Sequence, residues 1–190
     1  MPDYYDPHPL LTLERHVALV GLVAADTQRI GHQLAALTGL TLIDLERRVE
    51  HEAGRSVWEI VFHDGPRRFR ELERRCLAQA LFEKPGAVLV LGDGTLLDEA
   101  SRQSVAAATR LVALQRDLPN CYWRLQTLQR RRAQTCWHPF FPELLQSIDQ
   151  VRPFYQERQP TLAAARHAVQ LAGRPTYDVV RQLMELIAQD

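Results

Sequence analysis

The sequence has no excess of either charge, no cysteine framework and no apolar run long enough to cross a bilayer. Its 23 basic residues cancel its 23 acidic ones, so no global field draws it to nucleic acid or to an acidic membrane. The opening stretch, MPDYYDPHPLLTLERH, lacks the basic start and apolar core of a secretory leader. The expectation is a cytoplasmic protein with neither a nucleic-acid nor a membrane partner. Cys76, Cys121 and Cys136 share no zinc-binding spacing and leave one over in any disulfide scheme, so they read as free thiols, with Cys76 buried. There is no internal repeat, and a length of 190 residues fits one domain with a sizeable core.

What is present is organised around residues 17–31, VALVGLVAADTQRIG. The apolar run Val17, Ala18, Leu19, Val20 reads as a buried central strand, Gly21 opens a loop, and an amphipathic helix is expected from Thr27 to Leu37. A phosphate-binding loop belongs at such a turn. Its chemistry needs glycines that let backbone N–H groups wrap phosphate, a Lys that reaches the outer oxygens, and a Ser or Thr hydroxyl for magnesium. Counted from Gly21, the span that should carry these holds Ala24, Asp26, Thr27, Gln28 and Arg29. The frame is there and the chemistry is missing. A carboxylate from Asp26 at the helix mouth satisfies the free N–H groups itself and repels a nucleotide; a plain N-cap is the simpler reading of the same residue. Arg29 is the side chain that could replace the Lys, two positions late.

Residues 1–15 read as a polar arm ahead of a domain spanning 16–190. Thr41 to Leu45 is predicted as a strand whose exit, Asp44 and Glu46, lies at the carboxyl edge of the sheet, where open α/β folds bind ligands. A short helix over 47–53 follows, Ser56 and Glu59 form a capping box for the next, and Pro66 begins a long helix that buries Phe69, Leu72, Cys76, Leu77 and Leu81. Arg70, near its start, is open to two readings: a side chain that points into the cleft, or a surface helix pair with Glu73. Ala87 to Leu91 is another apolar strand, ending in Gly92, Asp93 and Gly94, where glycines permit close backbone approach to a ligand. Helix 98–108, strand 110–115 and an Arg-rich helix 119–133 come next. A lid is expected over about 133–143, carrying Trp137 and His138; Cys136 and His138 are too few for a metal site, and none is expected. A helix is predicted over 143–151, interruptions at Pro153 and Pro160, a strand over 167–171, and a terminal helix from Pro175 and Thr176. Five strands alternating with helices predict a three-layer α/β/α domain with a five-stranded parallel sheet.

These motifs, in this order, resemble the shikimate kinase family of P-loop kinases, from about Val17 to Ile187. The resemblance implies a small-molecule-kinase fold and a loop, GxxxxGK[ST], that binds ATP and magnesium. It lays Gly21 on the first glycine, Asp26 on the second, Thr27 on the Lys and Gln28 on the hydroxyl residue, so every functional position after the first glycine is replaced. The family's Asp-x-Asp, serving magnesium and the shikimate hydroxyls, is here Asp44 and Glu46. Its FR-x-x-E motif is intact as Phe69, Arg70 and Glu73, the Arg gripping the shikimate carboxylate. The family's Gly-Gly-Gly is Gly92, Asp93, Gly94, which sets a carboxylate beside an anionic substrate. The lid's Arg-Pro pair is His138, Pro139, with Arg131 and Arg132 left to keep some of the lid basic. A second carboxylate-binding Arg has Val151 in its place, and Arg152 stands one residue on, turned by about 100° along a helix.

Phosphoryl transfer rests on placing and neutralising phosphates. Loss of the Lys, the hydroxyl and the lid Arg leads to the expectation of a catalytically inactive pseudoenzyme without a cofactor, acting as a binding, regulatory or interaction module. Its partner is then either a hydroxylated carboxylic acid held by Asp44, Glu46, Arg70 and the Gly92–Gly94 turn, or a protein docked on the surface of a monomer or dimer. The alternative is an ATP-dependent kinase for shikimate or a related hydroxylated acid.

Overall fold

The computed structural model describes residues 13–131, 141 and 143–188. Most of the expected arm lies outside these residues, as do the lid positions Arg132, Trp137 and His138 and the side chain of Arg131. Five parallel strands, β1 (His16–Gly21), β2 (Leu42–Asp44), β3 (Val88–Val90), β4 (Thr109–Gln115) and β5 (His167–Gln170), form one sheet in the order β2-β3-β1-β4-β5. All six residues of β1 are buried, which is why this apolar run takes the centre. Leu19 pairs with Val90 on one side and Val112 on the other. Alternation along β1 then feeds two cores: Ala18 and Val20 pack with Ile43, Phe69 and Leu89, whereas Val17 and Leu19 pack with Leu34, Val180 and Leu183. Each fully buried leucine of this kind contributes about 1.5–3 kcal/mol.

The helices are α1 (Thr27–Thr38), α2 (Leu45–Ala53), α3 (Val57–Phe82), α4 (Glu99–Ala108), α5 (Leu118–Arg131), α6 (Arg152–Ala163) and α7 (Thr176–Ala188). The five-stranded parallel sheet and the α/β class are those expected from the sequence. Helix α2 starts earlier than predicted because Asp44 Oδ1 accepts from the Arg47 N–H at 3.2 Å and caps it. Two predicted helices run together as α3, with Gly65 at φ 82° breaking the helical path and Pro66 resuming it. The helix expected over 143–151 is absent apart from a 3₁₀ turn at Ile148–Gln150. Gln129 takes the backbone groups that such a helix would use, donating to Glu143 O at 2.7 Å and accepting from Leu145 N at 2.9 Å. Nor do Pro153 and Pro160 interrupt α6. Pro153 lies in its first turn, where no N–H is needed, and buried Thr161 and Leu162 anchor the last turn beyond Pro160.

Candidate functional site

A cleft of about 340 Å³ opens at the carboxyl edge of the sheet. The β1–α1 loop, Asp44 at the end of β2, Glu46 just beyond it, and Val90 to Asp93 at the end of β3 line it. The loop winds closely over its own first glycine: a Cβ on Gly21 would lie 2.5 Å from Ala25 Cβ and 2.7 Å from Thr27 Oγ1. Ala24 and Asp26 hold φ values of 72° and 54°, a left-handed backbone that costs Ala24 about 1–2 kcal/mol and Asp26 less. The path of a glycine loop is kept by residues that are not glycine.

Asp26 does not cap α1. Its backbone is left-handed where a side-chain cap needs an extended one, and its carboxylate makes no bond to the helix N–H groups. It turns instead to Arg124 of α5, with Nη2 2.7 Å from Oδ1, and to Arg116 just beyond β4, with Nη2 3.9 Å from Oδ2. Both the N-cap reading and the expectation that Asp26 satisfies the helix mouth are therefore corrected: it neutralises arginines. The Tyr155 hydroxyl fixes the Arg116 backbone by donating to its carbonyl at 3.2 Å. Sequence reasoning named neither arginine as a site residue, although Arg116 leaves β4 as Asp44 leaves β2, and that strand-exit position is the signal that finds it.

Thr27 folds its hydroxyl back toward Gly21, and Arg29 is exposed at the cleft rim. Gln28 Nε2 donates to Glu46 Oε2 at 3.1 Å. The magnesium implied by the resemblance would be shared between a loop hydroxyl and the acidic pair, but here Gln28 and Glu46 meet directly and Asp44 Oδ1 is engaged as a helix cap. Among the described residues no group of His, Cys, Asp and Glu side chains converges to hold a metal ion.

On the other side of the cleft, Arg70 donates to Glu73 Oε2 at 2.6 Å, and Glu73 Oε1 accepts from the Thr95 hydroxyl at 2.6 Å. Glu73 is only 3% exposed and Arg70 is partly buried, so this is not a solvated pair on the helix surface. The guanidinium packs flat against the turn, where a Cβ on Gly94 would lie 2.1 Å from Nη2. Glu46 is half-buried, and its carboxyl is pushed up to about 8, first by burial and then by the carboxylates of Asp93, Asp44, Glu73 and Glu50.

Arg152 does not join this group. It starts α6 on the surface and pairs with Asp149 at 3.1 Å. The basic partner that α6 does supply is Arg158, 3% exposed, which reaches Asp93 at 3.6 Å and lies 3.4 Å from the centroid of the Phe154 ring. Reading Pro153 and Pro160 as breaks hid the helix that carries it. Of the sequence-predicted residues, the structure therefore assembles Gly21, Asp26, Thr27, Gln28, Arg29, Asp44, Glu46, Gly92 and Asp93 around the cleft, with Arg70 and Gly94 beside them. Cys76 and Cys121 are free thiols, Cys76 buried as expected and Cys121 buried too, and Cys136 lies outside the described residues.

The shikimate kinase family model matches residues 28–188. The match begins immediately after Thr27, so the replaced glycine and Lys positions fall outside it. A shikimate kinase from Salinibacter ruber is 30% identical over 173 residues, covering 90% of this chain and 83% of that protein. One from Thermus thermophilus is 28% identical over 170 residues, covering 89% and 88%. Among solved structures, shikimate kinase from Acinetobacter baumannii in complex with shikimate shares the fold, with a TM-score of 0.79 at 21% identity over 95% of this chain and 96% of that one. With most of the chain matched by the family model, and relatives of this length aligned nearly end to end, the chain belongs to the shikimate kinase family.

Proposed function

We propose that the chain binds a hydroxylated carboxylic acid on the Arg70 side of the cleft and does not transfer phosphate from ATP. The observation that carries this reading is the Asp26–Arg124 ion pair at 2.7 Å, in the loop that would otherwise wrap phosphate. A fixed carboxylate there supplies the negative charge that the arginine would take from a nucleotide, and it opposes the approach of another anion. The Gln28–Glu46 bond supports the same reading, because it joins directly two positions that a magnesium ion would have to bridge. The acceptor side keeps its cation: Arg70 stands against the Gly94 turn, oriented by buried Glu73.

Two assays test the two halves. Calorimetry with shikimate should register binding that Arg70→Ala abolishes; unchanged binding in that variant would sink the acceptor-side assignment. An ADP-release assay with ATP, magnesium and shikimate should read no more than the enzyme-free blank.

A second reading is an ATP-dependent kinase for shikimate or a related hydroxylated acid. The family match favours it, and taken without the loop residues it supports an active kinase better than a silent one. This reading predicts ADP release above the blank, rising further when Asp26→Gly and Thr27→Lys rebuild the loop.

A further inference from the structure

Resting on the acceptor-side reading above, we propose that Thr95 is a positioning residue for that side of the cleft: its hydroxyl fixes Glu73, and Glu73 fixes the Arg70 guanidinium that meets the ligand. Thr95 follows the Gly92–Gly94 turn and begins a 3₁₀ turn over Thr95–Leu97. Its N–H donates to Gly92 O at 3.3 Å, and the Leu97 N–H donates to Gly94 O at 3.2 Å, so the residue is built into the turn. Thr95 is 3% exposed, whereas the Arg70 side chain is 23% exposed. The threonine therefore acts on a ligand through its neighbours.

The hydroxyl donates to Glu73 Oε1 at 2.6 Å, while Glu73 Oε2 accepts from Arg70 Nη1, also at 2.6 Å. The two oxygens of one buried carboxylate are thus held from two different elements. Arg70 and Glu73 lie three residues apart on α3, so their ion pair alone lets both side chains turn together and does not tie the arginine to the sheet edge. Thr95 makes that tie, because it stands in the turn that follows β3. The same turn packs against the other terminal nitrogen of the guanidinium, where a Cβ on Gly94 would lie 2.1 Å from Nη2. Backbone at Gly94 and hydroxyl at Thr95 therefore hold one arginine from consecutive residues. A guanidinium fixed in advance loses less freedom when it takes up a carboxylate, and charged hydrogen bonds in a chain strengthen one another. Valine at position 95 would keep the shape of the side chain and leave Glu73 Oε1 facing a methyl group.

The test is calorimetry of the full chain with shikimate, comparing wild type, Thr95→Val and Thr95→Ser. Valine should weaken binding about tenfold or more, and serine, which restores the hydroxyl, should bind within about threefold of wild type. Urea unfolding of the same proteins separates positioning from bulk stability, since a merely structural threonine lowers the midpoint and leaves affinity alone. If circular dichroism shows that the valine variant does not fold, Thr95→Ala takes its place. Serine and alanine both lack the methyl group and differ in the hydroxyl alone, so a gap of about tenfold is expected between them. Binding within about threefold of wild type in the variant without the hydroxyl, or serine as weak as that variant, would overturn the assignment to Thr95; binding still lost in Arg70→Ala would leave the acceptor-side reading in place. Absence of heat from wild type would overturn both.

Discussion

Replacing Asp26 by Asn keeps the shape of the side chain and a residue that tolerates the left-handed backbone, so it removes charge and little else. The magnitude follows from burial. Side-chain exposure is 25% for Asp26, 26% for Arg124 and 16% for Arg116. Fully exposed ion pairs contribute about 0–1 kcal/mol, whereas breaking a fully buried pair costs about 3–5 kcal/mol. A charged hydrogen bond at intermediate burial falls between them, and Asp26→Asn should lose about 1–2 kcal/mol in urea unfolding. Asp26→Gly removes the same charge but relieves the backbone at φ 54°, which offsets part of that loss, a few tenths of a kcal/mol or about 1 kcal/mol at most because Asp tolerates this backbone better than most residues. Glycine should therefore be better tolerated than asparagine at this position, the reverse of what a helix N-cap would give. A double-mutant cycle with Arg124→Met isolates the pair. A coupling energy within about 0.3 kcal/mol of zero would refute the claim that Asp26 and Arg124 hold each other.

Other outcomes follow from the same geometry. Since a Cβ at position 94 would lie 2.1 Å from Arg70 Nη2, Gly94→Ala should push the guanidinium off its turn, weakening ligand binding about tenfold or more and costing about 1–3 kcal/mol of stability. Unaltered binding would show that Arg70 does not depend on that surface. His16 is buried, its Nδ1 accepts from the Ala87 N–H at 3.2 Å, and burial holds its pKa below 6.5. The folded state thus favours neutral imidazole, so the contribution to stability is present above pH 6.5 and is lost as pH falls through that value toward the lower folded pKa. His16→Gln should flatten the dependence of the urea midpoint on pH between about pH 7 and 5, and an undiminished slope would contradict the assignment.

The middle of the sheet was legible because β1, β2 and β3 are short apolar runs that lead into Gly21, Asp44 and Gly92, and burial leaves such runs few alternatives. The position of the cleft followed from where those strands end. Contacts between distant segments were not legible. Nothing local in Asp26 shows that its carboxylate leaves α1 for an arginine on α5, and nothing in Gln28 shows a bond to Glu46, because both partners are set by how the loops fold over the sheet edge. The C-terminal third was harder to read for a different reason. Proline reads locally as a breaker at Pro153 and Pro160, yet one lies in a first turn and the other is carried across by buried neighbours, and that conceals Arg158 as the partner of Asp93. The missing Lys was plain from the sequence, but only the structure shows the loop keeping a left-handed path at Ala24 and Asp26.

The most direct test of the central claim is calorimetric titration of the intact chain with ATP and magnesium, beside an active shikimate kinase as control. No heat from this protein while the control responds is the predicted result, since Asp26 already engages Arg124 and Gln28 already engages Glu46. Binding in the range of about 1 μM to 1 mM, typical of enzyme substrates, would contradict the account and put the kinase reading first.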